Sequence, residues 1–168
     1  MLLLKELPRY ECLLECAKRY PDLDPSAVEA FLHLMRTSND LSEAFAQLHA
    51  SHNISQGRFG VLMLLNQDPQ NPVNPADLAD RANVARATMT GLVDTLERDG
   101  FVKREHAPDD RRMMLVRLTP AGTSFIDKVL PDHLRRIAAV MAGTSVAERR
   151  MLVNLLAKIH GAVPAITR

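Results

Sequence analysis

The feature that most constrains this fold is one change of hydrophobic period, over residues 101–118, in a chain that otherwise has helical spacing. Two β-compatible runs, 101–106 and 113–118, flank a polar segment at 107–112. A strand, a polar turn and a second strand form a β-hairpin. Aromatic residues make up only 4% of the chain, and Leu, Ala, Met and Arg are abundant, which favours helices elsewhere. We therefore expect a mainly α fold with a minor β component.

Two helices are predicted directly before the hairpin. Asn74 followed by Pro75 is typical of a helix start, since Asn caps and Pro fits the first helical position. Asn83 can adopt the left-handed conformation of a tight turn, and a second helix extends from about Ala85 to Arg98. Gly100 stands where a helix C-cap glycine belongs. Two helices joined by so short a turn form a helix-turn-helix.

Longer helices are predicted on both sides of this central region. At 1.5 Å per residue, the helix that starts at Asp24-Pro25 is roughly 40 Å long. Proline should bend or break the helix after Thr119 near its middle. Their predicted bounds are Pro8 to Tyr20, Asp24-Pro25 to about Ala50, Ser55 to before Asp68, Thr119-Pro120 to about Met141 with the break near Pro131, and a Ser145/Glu148 capping box to near Gly161.

Three segments follow from this order: N-terminal helices over 1–54, a helix-turn-helix with its hairpin over 55–119, and C-terminal helices over 120–168. Flanking helices too long for their own core pack most economically on a second copy of the chain. We therefore expect a homodimer whose all-helical dimerisation region comes from both chain ends. The chain has no apolar run near the roughly 18–20 residues that cross a bilayer, and its apolar start, Met1–Leu4, is too short for a signal peptide. We expect a cytoplasmic protein without a membrane partner.

The second helix of the helix-turn-helix has the residues for reading double-stranded DNA. It fits a major groove about 12 Å wide, and its apolar side leaves small and polar residues facing outward. An arginine there can pair bidentately with guanine, threonines can bond phosphate or base, and small residues permit close approach. The predicted contacts of this recognition helix are Arg86, Ala87, Thr88, Thr90 and Gly91.

The hairpin tip adds two adjacent arginines. Arg111 and Arg112 could enter the narrow minor groove, and Asp110 is close enough in sequence to hold one of their guanidinium groups. The chain carries a formal net charge of only +1, but residues 81–117 hold eight basic against six acidic side chains. Charge alone does not decide between a solvated surface and a DNA-binding one. The helix, turn, helix and arginine-tipped hairpin in this order favour DNA.

The sequence resembles the MarR family of bacterial transcription regulators. The resemblance covers residues 25–162 and is carried by Leu78–Arg104, by Asp109-Asp110-Arg111-Arg112 and by Leu118-Thr119-Pro120-Ala121-Gly122. It implies a winged helix-turn-helix dimer that binds a pseudo-palindromic operator and usually represses. It also implies that Asp110 orients the wing and that Arg112 is its minor-groove arginine.

The helix before Pro21 is similar to the extension of the urate-responsive subgroup of that family. That subgroup uses a tryptophan at its ligand site, and this chain has none, so the ligand is not carried over. Families of this kind usually respond to anionic aromatic molecules, and a small aromatic or anionic effector could shift the spacing of the two recognition helices. The residues expected to line its site are Phe31, His33, Met35 and Arg58.

Three other functional classes compete with a DNA-binding regulator of this kind. Cys12 and Cys16, four apart on one helix, allow a thiol-based redox-sensing regulator. A winged helix can also serve as a protein-interaction adaptor, but such a module has no need of adjacent arginines at its tip. The third class is an enzyme, but the chain lacks a phosphate-binding glycine loop and the common hydrolase and metalloprotease motifs. We therefore expect no enzyme activity, no catalytic residues, no cofactor and no metal site.

Overall fold

The computed structural model describes residues 6–110 and 112–166, which form helices and one antiparallel hairpin. The mainly α fold class is confirmed. In chain order the elements are α1 Tyr10–Arg19, α2 Pro25–Ser51, α3 Gln56–Asn66, α4 Pro75–Ala82, α5 Arg86–Arg98, β1 Val102–His106, β2 Met114–Leu118, α6 Pro120–Val140, α7 Val146–Ala162 and a short 3-10 helix at Val163–Ile166.

The helix starts follow from their capping residues. The Asp24 carboxylate accepts hydrogen bonds from the backbone N–H groups of Ser26 and Ala27, at 2.9 and 3.2 Å. Asn74 accepts from the N–H of Ala76 at 2.7 Å, and Pro75 occupies the first turn of α4. The predicted Ser145/Glu148 capping box is present at the start of α7. Each cap satisfies backbone donors that the first helical turn leaves without a partner.

Left-handed residues end two of the helices as predicted. Asn83, with φ of 51°, makes the turn between α4 and α5, and Gly100, with φ of 79°, follows α5. A third left-handed residue, Asn53 with φ of 58°, lies between α2 and α3 and was not predicted. Asparagine tolerates this conformation because its short polar side chain can hydrogen-bond locally.

One helix differs from its prediction. Pro131 lies inside α6, which continues from Pro120 to Val140 without a break. Pro131 removes one backbone donor from the helix, but the flanking turns keep their hydrogen bonds and helical conformation. Of the bend or break predicted near Pro131, the break is wrong and the bend stays a prediction.

The hairpin is anchored at one edge by a residue outside it. Strands β1 and β2 pair in antiparallel register, from Val102 opposite Leu118 to His106 opposite Met114. Val73, directly before α4, exchanges both backbone hydrogen bonds with Val116 at 2.9 Å. This isolated bridge was not predicted, and it attaches β2 to the segment that leads into the helix-turn-helix.

The chain divides into two units, residues 1–122 and 123–168. The first unit holds α1 to β2, and α1 packs on α2 with Leu13 buried. Its core is formed by apolar side chains of α3, α4, α5 and the hairpin, among them Leu62, Leu65, Leu78, Met89, Leu96 and Val116. The second unit holds α7, in which no residue is buried within the part of the chain that is described. None of the helices formed by residues 6–110 and 112–166 has the length and apolar content needed to cross a bilayer.

Candidate nucleic-acid interface

The recognition helix α5 has one buried and one exposed side. Met89, Val93 and Leu96 recur at three- and four-residue spacing and are fully buried, so this side fixes α5 against the core. The side away from the core is exposed, as the sequence predicts. Its predicted contact residues, all exposed, are Arg86, Ala87, Thr88, Thr90 and Gly91.

A groove of about 510 Å³ brings α5 and the hairpin together. Arg86 and Thr90 line it from α5, and Asp110 and Arg112 line it from the hairpin tip. The structure therefore assembles four of the predicted contact residues around one concave surface. Ala87, Thr88 and Gly91 lie outside its lining, and Arg111 lies outside the described residues.

Sequence reasoning missed two parts of this groove. The groove is also lined by the start of α4, at Asn74, Pro75 and Ala76, and by Met113 and Met114 of the hairpin. The sequence predicts a helix start at the Asn-Pro cap. It does not predict that this cap lies beside the hairpin, because hydrophobic spacing does not indicate the Val73 bridge that attaches the two. Met113 is 43% exposed.

The Asp110 carboxylate bonds the backbone of the hairpin tip, and its predicted pairing with Arg111 lies outside the described residues. It accepts a hydrogen bond from the backbone N–H of Arg112 at 2.8 Å, and the Met113 N–H donates to the Asp110 carbonyl at 2.9 Å. Among residues 6–110 and 112–166, no ion pair joins Asp110 to a guanidinium group. Because a short side chain two residues away reaches the backbone most easily, Asp110 shapes the turn and does not pair with the Arg112 guanidinium. Arg112 stays exposed.

An ion-pair cluster connects α5 to β1. The Arg104 guanidinium on β1 bonds the carboxylates of Glu97, at 2.6 Å, and Asp94, at 2.5 Å. Partial burial is the largest single effect on Arg104 and disfavours its charge, but the hydrogen bonds and charges of Asp94 and Glu97 together outweigh it and raise the Arg104 pKa. Arg104 therefore remains a cation in contact with both carboxylates.

The four predicted effector residues lie on two helices, three on α2 and one on α3. Phe31 and Met35 share a side of α2, whereas His33, two residues from Phe31, points away from them because a helix turns about 200° in two residues. Arg58, on α3, pairs instead with Asp99, and it donates to the carbonyl of Asn53 at 3.1 Å. Spacing along α2 gave no information on the position of Asp99, 41 residues beyond Arg58 in sequence.

The two cysteines lie away from the groove. Cys12 and Cys16 are one turn apart on α1, and both are exposed. In the described part of the chain, no group of three or more metal-ligating side chains comes together.

Comparisons with known proteins agree with this geometry. The model of the MarR family matches residues 54–114, which span α3 to the start of β2. The HTH-type transcriptional repressor YetL of Bacillus subtilis is 38% identical over 153 residues, 91% of this chain and 92% of YetL. BpsR of Bordetella bronchiseptica, solved in a study of how 6-hydroxynicotinic acid regulates its DNA binding, is 28% identical, with a TM-score of 0.65 over 76% of this chain and 96% of that one.

A more distant structure shows the same fold. Sco3205 of Streptomyces coelicolor, a MarR family transcriptional regulator solved in complex with DNA, has a TM-score of 0.75 at 19% identity, over 83% of this chain and 88% of that one. The helix-turn-helix, the hairpin beside it and the near full-length match to YetL lead to one conclusion. This chain belongs to the MarR family of transcription regulators.

Proposed function

We propose that this chain is a sequence-specific DNA-binding transcription repressor that acts as a homodimer on a pseudo-palindromic operator. The observation that carries the proposal is the groove between α5 and the hairpin, where Arg86, Thr90 and Arg112 line one surface. An exposed arginine on a helix that fits the major groove can read guanine, while one at a hairpin tip can enter the minor groove. The name of YetL, a transcriptional repressor, supports repression, and the structure of Sco3205 with DNA supports DNA binding.

The homodimer is supported by the surface of α7. Its large apolar side chains are between 38% and 65% exposed. A contiguous apolar surface of this kind is typical of a protein–protein interface. A second copy of the chain would cover them and would place two recognition helices at a fixed separation. These side chains are Val146, Met151, Leu152, Val153, Leu155, Leu156 and Ile159.

Regulation by a small aromatic or anionic effector is part of the proposal. Among the similar proteins, BpsR is one whose DNA binding is regulated by 6-hydroxynicotinic acid. In this chain an effector would release DNA only if it bound better to a dimer whose recognition helices are spaced wrongly for the operator. An anion directed at Arg58 would have to compete with Asp99. The position of α1 before α2 is what supports its resemblance to the N-terminal extension of the urate-responsive subgroup.

Thiol-based redox regulation is a second candidate, favoured by the exposure of both cysteines. Helical side chains four apart have Cβ atoms about 5–6 Å from each other, and a disulfide requires roughly 3.5–4.5 Å. Oxidation should therefore join two chains or give sulfenic acids, and not a Cys12–Cys16 bond. Peroxide should weaken operator binding of the wild type but not of a Cys12→Ser, Cys16→Ser double variant. Equal binding before and after oxidation would exclude this candidate.

The DNA-binding proposal is tested by selecting bound duplexes from a random pool. We expect an enriched inverted repeat whose half-site centres lie about 10 base pairs, or 34 Å, apart. Enrichment should disappear when Arg86 and Arg112 are both replaced by Ala. A wild-type chain that enriches no sequence, and binds DNA only weakly at low salt, would contradict the proposal and favour the protein-interaction adaptor.

A further inference from the structure

Hydrogen bonds hold both outer edges of the hairpin at the middle of its five residue pairs. Arg104 and Val116 are opposite each other in the sheet register. Val116 uses both its backbone groups for Val73, on the outer edge of β2. Arg104 directs its backbone N–H away from β2, to the Glu97 carboxylate on α5 at 2.8 Å. The hairpin is thus held on both edges at one level, by the segment before α4 and by the recognition helix.

The Arg104 side chain strengthens the α5 edge. Its guanidinium places one nitrogen on Glu97 and the other on Asp94, so three hydrogen bonds connect one strand residue to two positions of α5. Bonds of this charge-assisted kind are about twice as strong as neutral ones, and the Arg104 side chain is 22% exposed, so solvent screens them only in part. A lysine could not reproduce the arrangement, because its ammonium is a single point charge.

The cluster also connects to the groove. Asp94 is four residues after Thr90 and lies on the same side of α5, next to the surface that Thr90 lines. The Asp94 side chain is 59% exposed, and an unpaired carboxylate there would repel phosphates. Pairing with Arg104 neutralises that charge and orients α5 relative to the hairpin in the same contact.

We propose that Arg104 is a positioning residue for DNA binding: by bridging Asp94 and Glu97, it holds the hairpin at the angle to α5 that lets Arg112 reach the minor groove. Arg104 acts through Arg112 and the hairpin and needs no contact with DNA. The part of this inference that concerns Arg112 and the minor groove rests on the proposed function. The part that concerns the hairpin's attachment to α5 does not.

The matched variants are Arg104→Gln and Lys103→Gln. They remove the same charge from neighbouring residues of β1, whose side chains point to opposite faces of the hairpin. Within residues 6–110 and 112–166, the ion pair of Lys103 is with Glu105 of its own strand, at 3.3 Å. A change that appears in Arg104→Gln and not in Lys103→Gln therefore reports the contact with α5 and not the loss of a positive charge.

Hydrogen exchange tests the attachment without DNA. We expect the Ala107 and Met113 amides, which are bonded within the hairpin, to exchange about tenfold faster in Arg104→Gln, with unchanged exchange in α2. Lys103→Gln should exchange like the wild type. If Arg104→Gln does not fold, Arg104→Lys is measured in its place, with accelerated exchange expected at the same two amides. Wild-type exchange in the folded variant would overturn the proposal.

DNA binding to the selected duplex then tests the action through Arg112. Arg104→Gln should weaken binding about tenfold and make the slope of log affinity against log salt shallower by about two, as if each protomer of the dimer lost one charged contact with DNA. Adding Arg112→Ala should weaken it little further, because both changes disable the same contact. Full additivity of the two losses, or an unchanged salt slope, would overturn the proposal. If the wild type binds no duplex, the proposed function is refuted. Hydrogen exchange alone then tests whether Arg104 attaches the hairpin to α5.

Discussion

Arg112 is the residue on which the proposed minor-groove contact depends. Its side chain is exposed, and the Asp110 carboxylate fixes its backbone without neutralising its charge. Arg112→Ala should weaken operator binding by about 1–3 kcal/mol and leave the dimer intact. Gel shifts and sedimentation would measure the two properties. Arg19→Ala on α1, outside the winged helix-turn-helix, is the matched control and should bind as the wild type does. Equal affinities for both variants would remove Arg112 from the interface.

Gly122 is the residue whose small size the first unit most requires. A Cβ atom at Gly122 would lie 2.1 Å from the carbonyl oxygen of Phe101. Because that oxygen belongs to the backbone, no side-chain rotation can relieve the clash. Gly122→Ala should lower the free energy of unfolding by about 1–3 kcal/mol or more. Gly60 of α3 has nothing within 4 Å of such an atom, so Gly60→Ala should raise stability by about 0.5–1 kcal/mol. Urea unfolding at one protein concentration would compare them, and losses of equal size would contradict the account.

Residues that act through local structure were predictable, and residues that act through distant pairs were not. Asn83 and Gly100 were identified because the left-handed conformation selects for Asn and Gly at the end of a helix. The pairing of Arg58 with Asp99 was not predictable, because the two residues are 41 positions apart in sequence. The exposure of Arg86 and Thr90 followed from helical spacing, but their meeting with Arg112 in one groove required the folded hairpin.

At the scale of elements, the start of α7 responds to pH. The Ser145 backbone N–H and then its hydroxyl donate to the Glu148 carboxylate and lower its pKa below the ordinary value of 4.5. A lowered folded pKa means that the cap stabilises fully above pH 4.5 and that this contribution disappears as pH falls through the lower folded value.

Glu148→Gln isolates this contribution, because glutamine still fits a capping box but does not titrate. The wild type should be more stable than the variant at pH 7, and the difference should close toward zero as pH falls below the folded pKa of Glu148. Thermal unfolding of both proteins over this pH range would measure the difference. The contributions of the other carboxylates are the same in both proteins and cancel. A difference that stays constant with pH would show that the Glu148 charge does not stabilise α7.

The elements themselves were predicted to within one or two residues, because caps and hydrophobic spacing act over a single turn. The paired strands were found for the same reason, since the change of period is local. The Val73 bridge was missed because one bridging residue produces no alternating pattern. The helix does not break at Pro131, one of the two predicted outcomes, because the surrounding helix outweighs the loss of one hydrogen bond.

At the scale of the whole molecule, the proposed dimer makes α7 a buried helix in the assembly. Leu155 is 49% exposed in the single chain, so Leu155→Glu would bury a charge between two copies. We expect the dimer dissociation constant to rise about tenfold or more, with operator affinity falling in parallel. Asn154→Glu adds the same charge at the neighbouring position without removing an apolar side chain. Sedimentation equilibrium would compare the variants, and a Leu155→Glu dimer as stable as the wild type would place the interface elsewhere.

The most direct test of the central claim is a chemical footprint of the wild-type chain on its selected duplex. The account predicts protection of guanine N7 atoms in two major-groove segments about 10 base pairs apart, where each α5 would lie. It also predicts protection of adenine N3 atoms in the flanking minor grooves, lost in Arg112→Ala while the major-groove protection remains. Minor-groove protection that survives Arg112→Ala, or a duplex bound without major-groove protection, would contradict it.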